Sequence, residues 1–198
     1  MWAAALDCVA PSRCAGCGES GRVLCETCAD AIDESPVPLI AGARAAFVYE
    51  TEVRHVLHRG KFRDCRAGLR ALAWMGAARL QPPPAAVMTP IPLSRRRAAE
   101  RGYNQAEVIA RALSDFHRVR LAALLTRTRD TPAQSSLDRP GRQANVAGAF
   151  AAKREAAGET VWLIDDVFTT GATTAAARRA LLDVGAVRVE IAVLAAVL

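Results

Sequence analysis

The sequence predicts an α/β fold, a mostly parallel sheet flanked by helices, with a small cysteine-rich module ahead of it. Three observations carry this. The apolar run Val161-Trp162-Leu163-Ile164 is followed by a helical stretch from Thr174 to Val184 and then by a second strand pattern, the strand-helix-strand order that builds parallel sheets. A separate strand-loop-helix begins near Ala85. The third is a pair of CxxC motifs near the start, Cys14-x2-Cys17 and Cys25-x2-Cys28.

In chain order, each CxxC places two thiolates on one turn, and two such turns supply the four soft ligands of a tetrahedral structural zinc. Gly16 and Gly18 permit the tight chain reversal this needs. Two disulfides, disfavoured in a reducing cytoplasm, and a redox CxxC, which explains one pair only, are the alternatives. Four cysteine ligands leave no position for a substrate water, so the expected role is structural. Cys8 reads as a small buried side chain. Pro36 and Pro38 mark a boundary, dividing the chain into a module of residues 1–36 and a main domain of residues 37–198.

Ala45 to Tyr49 reads as a strand, and Val53, Val56 and Leu57 follow at helical spacing. His58 to Arg63 is expected to be a basic turn, with His55 and His58 as polar surface residues. A helix is expected from Arg66 to Leu80, its Leu69, Leu72, Ala73 and Gly76 on one face, before Pro82-Pro83-Pro84 ends the unit. Ala85 to Ile91 is a short apolar strand. Pro92 to Arg97 reads as a basic loop and Asn104 as the cap of the next helix, with Glu107 reaching back to it and Ile109, Leu113 and Phe116 facing the core. Arg95, Arg96, Arg97 and Arg101 then gather beyond the carboxyl end of a strand, where they suit pyrophosphate; a solvated basic helix start is the alternative. Thr126 to Asn145 has no hydrophobic periodicity, as in a binding loop or lid, or else a linker. Residues 146–150 read as a short edge strand.

Val161 to Ile164 has the unbroken hydrophobicity of a strand buried on both faces. Asp165 and Asp166 stand at its carboxyl end, and after a two-residue step comes Thr169-Thr170-Gly171-Ala172-Thr173-Thr174. Backbone N–H groups that open a helix lack intrahelical partners and favour an anion. The threonine hydroxyls add donors, and Gly171 lets the backbone curl closely round a phosphate. The acids would repel that phosphate but suit neighbouring hydroxyls or a divalent cation. A ribose 5-phosphate satisfies both halves. Gly185 then reads as the residue that stops the helix, and Val187, Val189, Ile191 and Val193 alternate into a final strand.

No apolar run approaches the roughly 18 to 20 residues that span a bilayer, and the first residues lack the pattern of a secretory signal. The expectation is a cytoplasmic protein without membrane insertion. The net charge of +6 is carried almost wholly by arginine, with Lys61 and Lys153 the two lysines. That bias is compatible with phosphorylated ligands or nucleic acid, and equally with coding composition.

The string Val161 to Thr174 resembles the 5-phosphoribosyl-1-pyrophosphate (PRPP) motif of type I phosphoribosyltransferases. Taken with the tetracysteine knuckle, His58-Arg59-Gly60-Lys61-Phe62, Pro90 to Arg97, Arg101-Gly102-Tyr103-Asn104-Gln105, Arg127 to Gln134 and Asn145 to Phe150, the whole chain resembles the ComF family. The resemblance implies a type I phosphoribosyltransferase fold with a zinc-ribbon-like module holding zinc through Cys14, Cys17, Cys25 and Cys28. It implies that Asp165 and Asp166 hold the ribose diol, and that Thr169, Thr170, Gly171, Ala172 and Thr173 hold the 5′-phosphate. Ser94, Arg95, Arg96, Arg97 and Arg101 would hold pyrophosphate. A mobile loop bearing Arg127, Arg129, Gln134, Arg139 and Arg142 would close during reaction. Mg²⁺ arriving with PRPP is implied too, as are ties to DNA uptake in competence; the zinc module and the net charge of +6 motivate the alternative of a catalytically silent PRPP or nucleotide binder in single-stranded DNA handling. No general base or acceptor-recognition segment is identifiable.

Overall fold

The computed structural model describes residues 12–62, 65–129, 148–153 and 156–198. The run Val161 to Ile164 forms the middle of β6 (Thr160–Phe168), the central strand of a five-stranded sheet. With β1 (Arg44–Val48), β2 (Ala86–Pro90), β3 (Arg120–Leu121) and β7 (Arg188–Ala196), the order is β1-β7-β6-β2-β3. Every pairing in this sheet is parallel. Parallel strands must be covered on both sides, and β6 is built for it: Val161 and Leu163 enter one apolar cluster, Trp162 and Ile164 the other.

The Trp162 face packs against α2 (Thr51–Phe62), α3 (Arg66–Ala77) and α5 (Gln105–His117) through Val56, Leu57, Leu69, Leu72, Ile109 and Leu113. The Val161 face is covered by α6 (Ala172–Leu182) and by an antiparallel hairpin of β4 (Leu125–Arg127) and β5 (Phe150–Ala152), with Leu125, Phe150, Ala177 and Leu181 inside. The cysteine-rich segment ends in α1 (Glu26–Asp33), and its Ala15 and Ile32 belong to the same cluster as Phe47 and Leu69. It is therefore packed into the body of the protein. Arg79, stacked on the Phe47 ring, reinforces this by donating to the carbonyls of Asp33 and Ser35.

Several sequence expectations shift. The basic stretch His58 to Phe62 is the last part of α2, not a turn. Gly60 there faces Leu69 so closely that a Cβ would lie 2.6 Å from Leu69 Cγ, so the glycine serves helix contact. The expected loop Pro92 to Arg97 gives way to a short helix, α4 (Arg95–Arg101), capped by Ser94 and stopped by Gly102 at a φ of 74°. Asn104 caps α5 through the Ala106 amide, but Glu107 reaches forward to Arg111 at 2.8 Å. Phe116 is 41% exposed and packs edge-on to Trp74. β7 is buried on both faces, so its Ala192 and Leu194 are core as much as Val193 is. The expected edge strand at 146–150 is placed at Phe150–Ala152; residues 146 and 147 lie outside the described residues, as does Cys8.

Candidate functional site

β2 leads through α5 to β3 on one side of the sheet, whereas β6 leads through α6 to β7 on the other. Connections that diverge in this way open a crevice at the strands' carboxyl ends. The β2–β6 pairing ends at Pro90 and Ile164, closed by the Ile91 N–H donating to the Ile164 carbonyl at 2.9 Å. Asn104 Nδ2 then holds the Ile91 carbonyl at 2.9 Å, drawing the chain aside. The result is a cleft of about 240 Å³ whose lining includes Asp165, Asp166, Thr169, Thr173, Arg97, Arg101, Arg127, Tyr49 and Lys61.

Asp165 and Asp166 lie within β6, not beyond it as the sequence suggested. The strand is carried on by β7, with Asp165 opposite Val193. Asp165 Oδ1 accepts from the Asp166 N–H at 2.9 Å, and Asp166 Oδ1 from the Val167 N–H at 2.8 Å. Burial, and then the neighbouring Asp166 charge, push the Asp165 carboxyl up to about 8. Asp166 Oδ2 meets Lys61 Nζ at 2.9 Å. Burial disfavours the Lys61 charge, but Asp166, joined by Tyr49 and Asp165, tips the balance and the lysine is raised.

Past the acids, Thr169 and Thr173 line the cleft, Thr169 exposed there and Thr170 half-buried, and Ala172 is buried as the first residue of α6. Gly171 precedes the helix at a φ of 74°, and its α-carbon packs on the Phe168 ring. The loop thereby brings the opening of α6, with its positive dipole end, beside Asp165. Thr174 is spent inside the turn, its hydroxyl donating to the Gly171 carbonyl.

The arginines divide. Arg97 and Arg101, one turn apart on α4, line the cleft. Arg95 and Arg96 are exposed, Arg96 facing Glu100 at 3.4 Å. Ser94 is buried, and its hydroxyl caps α4 at the Arg97 amide. Of the proposed mobile loop, Arg127 lies in β4 with its guanidinium over the Phe150 ring at the cleft edge, and Arg129 is exposed. Gln134, Arg139 and Arg142 lie outside the described residues. His55 and His58 are exposed, as expected.

Lys61 is the residue that sequence reasoning left without a role. A usable signal existed: a lysine among arginines, in a chain with two lysines in all. Its reach to Asp166 depends on α2 continuing through a segment that reads as a turn.

In the N-terminal module, which Arg59 of α2 touches through the Cys14 carbonyl, the four thiols of Cys14, Cys17, Cys25 and Cys28 lie within 4.8 Å of one another, and none is in a disulfide. Cys25 Sγ lies 3.6 Å from Cys14 Sγ and 3.7 Å from Cys17 Sγ. Tetrahedral zinc with Zn–S bonds of about 2.3 Å requires sulfurs about 3.8 Å apart, so the donor set fits that ion. Gly16 makes room: a Cβ there would lie 2.6 Å from Cys28 Sγ.

A parallel sheet with an acid pair and a hydroxyl-lined helix opening at its switch point defines the class: an α/β protein with a polar crevice at its strand ends. The phosphoribosyl transferase domain model matches residues 99–198. The chain belongs to that family and, with its tetracysteine module, to the ComF proteins within it. DNA utilization protein YhgH of Escherichia coli (strain K12) is 35% identical over 102 residues, 51% of this chain and 45% of the relative. Competence protein ComFC of Bacillus subtilis (strain 168) is 31% identical over 150 residues, 74% of this chain and 60% of the relative. Competence protein F of Haemophilus influenzae is 32% identical over 106 residues, 52% and 46% of the two chains. The chain thus spans about half the length of the curated relatives it matches first. Among solved structures, a glutamine PRPP amidotransferase from B. subtilis overlays 65% of this chain and 26% of its own, with a TM-score of 0.46 and 18% identity.

Proposed function

We propose that the chain binds PRPP with Mg²⁺ and transfers ribose 5-phosphate to an acceptor, releasing pyrophosphate, with residues 1–36 as a zinc module and residues 37–198 as the transferase domain. The observation that carries the reading is that the acid pair, Thr169 and Thr173 of the following loop, and Arg97 with Arg101 all line one cleft. In this reading Asp165 and Asp166 accept hydrogen bonds from the ribose 2′ and 3′ hydroxyls. The loop and the α6 N-terminus seat the 5′-phosphate. Arg97 and Arg101, backed by Ser94, Arg95 and Arg96 on the same segment, bind pyrophosphate. Arg127 stands beside them at the cleft edge.

Chemically, the bond between the ribose anomeric carbon and pyrophosphate breaks with its electron pair leaving on pyrophosphate, while the acceptor's lone pair bonds to that carbon and its proton passes to solvent. Mg²⁺ carried by PRPP would supply further neutralisation of the diphosphate. Arg97 and Arg101 stabilise the charge developing on the leaving group, and the acids hold the ring still. A cytoplasmic setting suits both PRPP and reduced thiols.

A second reading is favoured by the relatives, whose names refer to DNA utilization and competence, and by the net charge of +6. Here the chain binds PRPP without turnover and acts beside single-stranded DNA or competence proteins. Pyrophosphate release from PRPP with a panel of nucleobases separates the two. Acceptor-dependent release establishes transfer; PRPP binding without release from any acceptor leaves the accessory role.

A further inference from the structure

Lys61 reaches the acid pair on a turn tied from both sides. Arg59 Nη1 donates to the Cys14 carbonyl at 2.5 Å. The Gly60 carbonyl accepts from the Tyr103 hydroxyl and from Gln105 Nε2. Lys61 then meets Asp166 Oδ2 at 2.9 Å, with both side chains largely shielded, 22% and 16% exposed. Three consecutive residues thus engage the cysteine module, the α4–α5 segment and the acids. Asp166 Oδ1 is already turned to the Val167 amide, so the ammonium completes the fixing of that carboxylate. Arg101, another cation of the cleft, is held by Gln105 Oε1 at 2.9 Å.

We propose that Lys61 is a positioning residue for the acid pair: acting through Asp166, its ammonium orients that carboxylate and offsets its charge, so that two adjacent acids can present fixed acceptors to the hydroxyls of a ribose-phosphate ligand. The ligand rests on the PRPP reading; the electrostatics do not. Two neighbouring carboxyls in a half-buried site repel, and a nearby cation relieves this. The charged and titratable groups facing Lys61 are Asp165 and Asp166 from β6, Tyr49 after β1, and Arg97 and Arg101 across the cleft. Lys61 is also among the charges that hold the Asp165 carboxyl down against burial and Asp166.

The test uses the full chain, with Lys61→Met to keep the stem and remove the charge, and Lys61→Arg to keep the charge. In ligand-free protein, a carbon-13 carboxyl NMR titration should show the Asp165 carboxyl titrating at higher pH in Lys61→Met and near the wild-type position in Lys61→Arg. Calorimetry with PRPP and Mg²⁺ should show Lys61→Met weakened by about tenfold or more and Lys61→Arg by no more than about threefold. A carboxyl titration that Lys61→Met leaves unmoved overturns the proposal, whether or not PRPP binds. Equal weakening by both variants overturns it too, because packing and not charge would then be responsible. A wild-type protein that ignores PRPP while Lys61→Met still shifts the titration keeps the positioning role and discards the PRPP reading.

Discussion

The Ile91 amide donates to the Ile164 carbonyl at 2.9 Å, and with that bond the pairing of β2 to β6 ends. β6 continues through Asp165 and Phe168 with β7 alone as its partner. The cleft exists because one strand outlasts its neighbour. The acids sit on the unpaired edge so created, rigid on one side and open on the other, which is the condition for a preorganised binding group.

Asp165 should make the ligand-free protein lose stability as pH rises from acid to neutral. Burial and Asp166 raise its carboxyl from an ordinary value of 3.8 to about 8. As pH rises through this window, the unfolded chain releases the proton first, so ionisation favours unfolding and stability is lost between about pH 4 and pH 8. Asp165→Asn has no such proton. Its thermal midpoint, measured relative to wild type, should climb from pH 5 to pH 8 and then level off. A difference that is flat with pH would mean that neither burial nor Asp166 raises the Asp165 carboxyl.

Gly171→Ala should damage the loop twice over. The residue sits at a φ of 74°, and a Cβ would lie 2.7 Å from Phe168 Cζ. Left-handed backbone in a residue with a side chain costs roughly 1–2 kcal/mol before the ring contact is counted. Urea denaturation should register a loss of at least that size, and titration with ribose 5-phosphate should show weaker binding. Unchanged stability would mean that the turn relaxes freely.

Much of this site is legible in the sequence because local rules and tertiary needs agree there. Val161 to Ile164 is apolar because both faces are covered, and the CxxC spacing states its chemistry outright. The exceptions have physical reasons. Aspartates are poor strand formers, yet β6 runs through two of them because β7 keeps pairing. Gly60 looks like a turn residue, and only the proximity of Leu69 explains it inside a helix. The helix α4 was signalled by Ser94 and Gly102, a cap at each end, but the run of arginines between them reads more readily as a loop.

The arginines of α4 should separate by position. Arg97→Ala and Arg101→Ala, which alter the cleft wall, should each weaken inorganic pyrophosphate by about tenfold, the scale of losing a hydrogen bond to a charged group. Arg95→Ala, at an exposed position, should bind nearly as wild type. Calorimetry with pyrophosphate decides the matter, and an equal loss at Arg95 would argue for a diffuse basic surface.

Metal removal should loosen more than the module. Cys14 Sγ accepts from the Cys25 amide, and the Cys14 carbonyl holds Arg59 on the helix that carries Lys61. Purified protein should contain one zinc per chain, measured by elemental analysis. Chelation, or Cys25→Ser, should lower the thermal midpoint and weaken ligand binding at the acid pair together. A chain with no zinc and an unaltered midpoint in chelator would exclude a structural metal.

The central claim is that the cleft binds PRPP through its acid pair, and isothermal titration of PRPP with Mg²⁺ tests it most directly. The account predicts saturable binding of one PRPP per chain. The Asp165→Asn, Asp166→Asn double variant should be weakened by at least about tenfold, on the scale of lost hydrogen bonds to charged acceptors. Absence of wild-type binding at millimolar PRPP would contradict it, as would a double variant that binds like the wild type.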